Sequence, residues 1–137
     1  MALLSFAAMF CLMYAMVDRA DNALANVNQV YMAALMALPM VVIEIFVMKA
    51  MYPDRRRNIA IVAACLAGTV VFWLAIRAQW AVTDGQFLRS MIPHHACAIL
   101  MCERADVADA AVLALCREIV ASQNAEIAQM KDMLADR

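Results

Sequence analysis

The sequence holds two glycines and three prolines in 137 residues, and only 17% of its residues are charged. So little turn-forming material excludes a fold of many short strands and leaves a few long helices. So few charges on so apolar a chain exclude a disordered tail, a nucleic-acid binder and an ordinary soluble domain. Histidine is scarce too, with two residues in all. What is abundant is apolar: 67% of residues are hydrophobic, mean hydropathy is +0.74 and 13 residues are methionine. The net charge of -1 divides unevenly. Residues 1–83 carry six basic and four acidic groups, whereas residues 84–137 carry five basic and eight acidic groups, so the boundary separates two kinds of chain.

Residues 1–17 carry no charge and sit at the lower length limit of a membrane span, at about 1.5 Å of rise per residue. A cleaved signal peptide competes for this segment, but it begins without Lys or Arg and runs into Asp18, Arg19 and Asp21, so an uncleaved span is expected. A second span is expected from Val30 to Met51, with a kink at Pro39 and a carboxyl group, Glu44, at membrane depth. A third is expected from Ile59 to Trp80, after a short loop containing Arg55, Arg56 and Arg57. Three consecutive arginines belong on the cytoplasmic side, which fixes the topology. The amino terminus is then cytoplasmic, the loop from Asp18 to Gln29 is external, and everything after Trp80 is external. Localisation to the inner, cytoplasmic membrane follows, with a periplasmic or extracellular carboxy-terminal part. Residues 1–82 form a three-helix transmembrane region on this reading, and residues 83–137 a separate extracytoplasmic part.

The external part has apolar residues at Ile92, Ala96, Ile99, Val112, Leu115, Ile119, Ile127, Met130 and Leu134, at helical intervals of three, four and seven. Pro93 suits the first turn of a helix, and Asp106 to Asp109 is a polar break before alanines that resume helix. Two antiparallel helices are expected, with Cys116 opposite residue 99 and the histidines facing Gln123 and Glu126. So small a hairpin buries too little surface alone. It needs a second copy, completing a four-helix bundle, or the outer ends of its own membrane helices, and homo-oligomerisation is the preferred expectation.

The first external helix gathers the side chains best suited to a metal: Met91, His94, His95, Cys97, Met101 and Cys102. Adjacent helical residues point about 100° apart, so His94 and His95 do not readily share one ion. Met130 lies one turn beyond Glu126 and completes a set of imidazole, thioether and carboxylate from separated sequence. Cys102 and Cys116 flank the break and can meet, as a disulfide outside the cytoplasm or as soft-ion ligands. Cys11 and Cys65 lie within spans and read as small apolar residues. Thioether, thiolate and imidazole together select copper, chiefly Cu(I), with zinc as the rival. The bland alternative is a solvated histidine pair beside scattered methionines.

The external residues are also familiar as a set: Asp84, Phe87, MIPHH from Met91 to His95, AILMC from Ala98 to Cys102, and the run from Ser122 to Met130 containing Glu126 and Ile127. They resemble the domain of unknown function 305 family, and the cysteines at 102 and 116 suggest a membrane-tethered branch of it. The resemblance covers about residues 84 to 134 and implies a ferritin-like half-bundle with copper held by Met91, His94, His95, Met101 and Met130, with Glu126 as a further ligand. Two departures stand out: Cys97 replaces a usual glycine, and Leu100 replaces a frequent polar or acidic residue.

In the second span Met32, Met36, Met40, Glu44, Met48 and Met51 follow at spacings of four and three. A thioether ladder for Cu(I) is one reading, but spacings of four drift about 40° per step, and flexible packing residues explain the run better. The expected function is a membrane-anchored copper-binding protein for sequestration, delivery or resistance, without enzymatic chemistry, partnered by lipid and metal and by no nucleic acid. An accessory subunit of a larger membrane complex, or a thiol redox or metal-transfer factor using Cys102 and Cys116, are the competing readings.

Overall fold

A computed structural model describes residues 1–137, and the chain is all-α with no strand. Five helices follow in order: α1 (Ala2–Leu12), α2 (Val27–Val47), α3 (Arg55–Ala78), α4 (Asp84–Arg104) and α5 (Ala110–Ala135). They divide into two compact units, one of Met1–Met13 with Val27–Ala81, the other of Tyr14–Asn26 with Val82–Arg137. The second unit is thus discontinuous in sequence. Residues 14–26, grouped with the membrane region on the sequence reading, pack with α4 and α5 instead.

In the first unit two helices, α2 and α3, are long and apolar enough to cross a membrane, where three were expected. At about 1.5 Å per residue they extend roughly 31 and 36 Å, against a hydrocarbon core of about 30 Å. The segment expected as the first span falls short. α1 winds for 11 residues and then tightens into a 3-10 turn over Met13–Met16, together about 24 Å. Beyond it the Asp18 carboxylate takes the Arg19 N–H and the Asn22 side-chain amide, both at 2.7 Å, and such local side-chain bonds compete with continued helix.

α2 and α3 pack through small residues. Ala33, Ala34, Ala37, Cys65 and Ala75 are buried, with Ile45 the one large apolar residue among them, while Met36, Met40, Ile43, Phe46, Leu66, Val70 and Trp73 face outward. A water-soluble core would show the reverse order of sizes; small residues inside and large apolar ones outside is the pattern of helices that pack in lipid. A Cβ added at Gly68 would lie 2.9 Å from Leu38 Cδ1, which marks how close the two helices come. One end of the pair is tied by Asn28 and Gln79, whose amides bond each other at 3.1 and 3.3 Å, and by the Tyr31 hydroxyl donating to the Trp80 carbonyl at 2.9 Å.

The arginine run lies within α3 rather than in a loop before it. Asp54 caps this helix by accepting the Arg57 N–H at 3.1 Å, which starts the helix at Arg55. Glu44, expected as a carboxyl at membrane depth without an assigned partner, accepts a bond from the Tyr52 hydroxyl at 3.0 Å. That bond holds the Tyr52 hydroxyl above its usual pKa, because the neighbouring carboxylate opposes a phenolate.

In the second unit, Leu88, Ile92, Ala96 and Ile99 of α4 and Ile127 and Met130 of α5 form one core, covered further by Val17 and Leu24. The strap of residues 14–26 therefore covers part of the apolar stripe for which a second copy was expected. Its middle is fastened by charge and its end by an amide: Lys131 Nζ meets Asp21 Oδ2 at 2.6 Å, and Asn26 Nδ2 faces the Arg89 carbonyl at 3.5 Å. That carbonyl is the one left without an intrahelical donor by Pro93, four residues on. Pro93 accordingly sits in the interior of α4, not at its first turn, because Thr83 caps the helix ten residues earlier by accepting the Gln86 N–H at 3.4 Å. α5 starts after Asp109, which accepts the N–H groups of Ala111 and Val112 at 2.8 and 3.0 Å.

Candidate metal centre

His95 and Ile92 lie on the inward face of α4, three residues apart, so the imidazole is carried to the α5 side by the same periodicity that builds the core. His95 is 7% exposed and both ring nitrogens have partners. Nδ1 lies 2.9 Å from the Met91 carbonyl and Nε2 lies 2.7 Å from Glu126 Oε2. A carbonyl only accepts, so Nδ1 carries a proton and Nε2 is the atom turned to the carboxylate. The 2.7 Å separation of Nε2 and Oε2 is that of a charge-assisted hydrogen bond, with a proton shared between them. An imidazole oriented through Nδ1–H on a backbone carbonyl is also the way an outer partner fixes a metal-binding histidine, although here Nε2 is engaged by Glu126.

The other expected ligands separate from this pair. His94 is exposed; its ring centroid is 6.1 Å from that of His95, with 63° between the planes, so the two imidazoles diverge as their adjacency dictates. Met91 serves through its backbone carbonyl, while its side chain packs against the core. Met130 is itself a core residue. Gln123 is half-buried and Glu126 half-exposed, so the carboxylate is reachable from solvent. No three His, Cys, Asp or Glu side chains converge anywhere in the chain. The donors at hand are one nitrogen and one carboxylate oxygen, which fit part of the coordination of copper or zinc and leave the remainder to water or another group.

The sulfur residues form a second group near the connection between α4 and α5. Cys116 meets Cys102 itself, three residues further along α4 than the expected residue 99. Their side chains are hydrogen-bonded, and this bond, with partial burial, holds the Cys102 thiol above its ordinary pKa. Both are free thiols. Leu100, Met101, Cys102, Arg104, Ala105 and Cys116 line an open depression there. Cys97 Sγ reaches Met101 Sδ at 3.9 Å, a contact available from their spacing of four on one helix face. Met101 is exposed and Cys65 is buried between membrane-type helices, as a small apolar residue would be.

The fold defines an all-α protein in two units, one of which holds two helices long and apolar enough to cross a membrane. Residues 74–134 match the family described as Domain of unknown function (DUF305). An uncharacterized protein of Acanthamoeba polyphaga mimivirus is 31% identical over 114 residues, covering 82% of this chain and 73% of that protein. The chain belongs to the domain of unknown function 305 family. No solved structure matches it.

Proposed function

We propose that this protein is a membrane-anchored copper-binding protein that sequesters or delivers the ion, with His95 and Glu126 as its first ligands. The observation that carries the reading is the paired fixation of His95: Nδ1 on the Met91 carbonyl at 2.9 Å, Nε2 against Glu126 at 2.7 Å. The carboxylate side chain is half-exposed, so this nitrogen–oxygen pair is reachable by an ion from solvent. With nitrogen and oxygen donors this pair suits Cu(II) or zinc, whereas the thioethers expected to favour Cu(I) lie elsewhere. His94, on the neighbouring face, is the residue best placed to capture an ion from solvent before it reaches His95.

The membrane reading rests on the outward-facing large apolar residues of α2 and α3 and on the make-up of the second unit. Residues 14–26 and 82–137 belong to one compact unit, which requires an even number of crossings between them. α2 and α3 supply two. With Arg55, Arg56 and Arg57 held on the cytoplasmic side, the copper-binding unit is periplasmic, anchored in the inner membrane as in a membrane-tethered branch of the family. The antiparallel pair α4 and α5 is then a half-bundle whose remaining apolar surface a second copy can cover.

Elemental analysis and copper titration of the purified protein, beside a His94→Ala, His95→Ala double variant, test the reading. The variant is expected to lose one bound ion. An unchanged stoichiometry removes His95 as a ligand and the reading with it.

A further inference from the structure

The thiols at the connection between α4 and α5 are absorbed neither by the core nor by the His95 centre. We propose that Cys102 and Cys116, with Met101 beside them, form a second and separate site for one soft monovalent cation of the Cu(I) type. Cys102 is seven positions after His95 on α4, about 10 Å of helix rise, so one ion cannot engage both.

Three features of the place select such an ion. The two thiols come from different helices and line the same open depression, so one ion entering it meets both. No carboxylate and no imidazole lines the depression, whose other lining residues are Leu100, Met101, Arg104 and Ala105, so its walls offer hard cations no side-chain oxygen. A Cu(I) ion accepts as few as two ligands, and sulfur suits it. Arg104 supplies the positive charge that offsets the single negative charge of a cation held by two thiolates. The depression is open, so an ion can enter and leave, and the Cys97 and Met101 sulfurs, 3.9 Å apart on the same helix, provide a softer approach from one side.

Loading breaks two S–H bonds, forms two bonds from sulfur to the metal and releases two protons to solvent. No electron is transferred, so no oxidant or reductant is needed.

The test is an anaerobic Cu(I) titration of the reduced full chain in detergent micelles, using a competing chelator. Wild type is compared with a Cys102→Ser, Cys116→Ser variant and with the His94→Ala, His95→Ala variant. The serine variant is expected to lose one equivalent of Cu(I) and the ultraviolet charge-transfer absorption of thiolate bound to copper. The histidine variant is expected to keep that absorption. In wild type, Cu(I) is expected to protect both cysteines from alkylation. An unchanged stoichiometry in the serine variant, with no thiolate absorption in wild type, overturns this site and leaves the His95 reading standing. So does a Cys102–Cys116 disulfide that persists under the reducing conditions. Persistence of the thiolate absorption with no histidine-dependent ion supports this site and removes the other. Circular dichroism of both variants checks that the helices are intact.

Discussion

Glu126→Gln is the substitution that reads the His95 centre most directly, since it keeps the shape of the side chain and removes its charge. In wild type the Met91 carbonyl fixes the proton on Nδ1, and the 2.7 Å contact between Nε2 and Oε2 is a bond to a charged acceptor. Hydrogen bonds to charged groups contribute about 1.5–3 kcal/mol and neutral ones about 0.5–1.5, so the exchange removes roughly 1 kcal/mol before screening. The Glu126 side chain is 51% exposed, which lowers the loss to about 0.5–1 kcal/mol. Glutamine still donates its amide N–H to a neutral Nε2, so the ring stays partnered. Glu126→Ala leaves a buried ring nitrogen with no protein partner, at a cost of about 1–3 kcal/mol. For a unit of this size 1 kcal/mol moves the melting temperature by about 4–8 °C. Thermal melts in detergent at neutral pH are thus expected to rank wild type above glutamine and glutamine above alanine. Nitrogen-edited NMR of the imidazole is expected to show the Nδ1–H tautomer in the glutamine variant. Copper affinity at this centre is expected to fall at least about tenfold in both variants, since Glu126 is itself a proposed ligand and even the outer partners of a ligand contribute about 10–100-fold. Equal melting of the two variants, or an Nε2–H tautomer in the glutamine form, would refute the hydrogen-bond assignment on which the centre is built.

Three further outcomes test the fold. Ile92 is fully buried, so Ile92→Ala is expected to cost about 2–5 kcal/mol and lower the melting of the second unit by about 10 °C or more, while exposed Val112→Ala stays within about 0.5 kcal/mol; calorimetry or circular dichroism separates them. The Lys131 ammonium bonded to Asp21 holds that carboxyl below its usual pKa. A depressed folded value means that the strap contact is fully present above the ordinary carboxylate range and is lost as pH falls through the lower, folded value. NMR titration of Asp21 is expected to move upward in Lys131→Met, and an unmoved titration contradicts the contact. At Gly68 an added methyl meets only the flexible end of Leu38, so Gly68→Ala is expected to be tolerated, whereas Gly68→Leu overpacks the α2–α3 contact by about 1–3 kcal/mol and lowers its melting in detergent.

Much of the helical plan was legible because apolar periodicity and caps are local signals. The spacing of Ile92, Ala96 and Ile99 gives the buried face of α4, and Asp106 to Asp109 marks the break. The register brought the His95 end of α4 to Glu126, and the same reasoning brought the cysteines within reach of each other. Other features depend on tertiary partners and carry no local signature. Val17 and Leu24 stand in a short polar stretch between apolar helices, and nothing in that stretch announces that it belongs with residues 82–137. Pro93 reads as a helix start because proline is tolerated there, yet in the helix interior the Arg89 carbonyl it leaves open is faced by Asn26, 63 residues from Arg89. Met91 offered a thioether to the reader of the sequence, yet the structure uses its backbone oxygen, an atom every residue has. The first span failed for a similar reason: its length in residues was adequate only if every residue stayed α-helical.

The strap has a consequence for how the molecule is made. Asp21 and Lys131 are 110 residues apart, so at a synthesis rate of about 5–20 residues per second the strap waits about 5–20 s for its partner. During that interval Val17 and Leu24 have no core to join, and α2 and α3 are completed between them and their destination. Maturation of the polar unit is thereby ordered after that of the apolar one. A chain whose strap fails to reach α4 and α5 leaves them without their cover, exposing Ile92 and Ile99 to whatever recognises unfolded protein. Production of residues 82–137 alone creates the same defect, and supplying residues 14–26 as a separate peptide is the remedy the fold suggests.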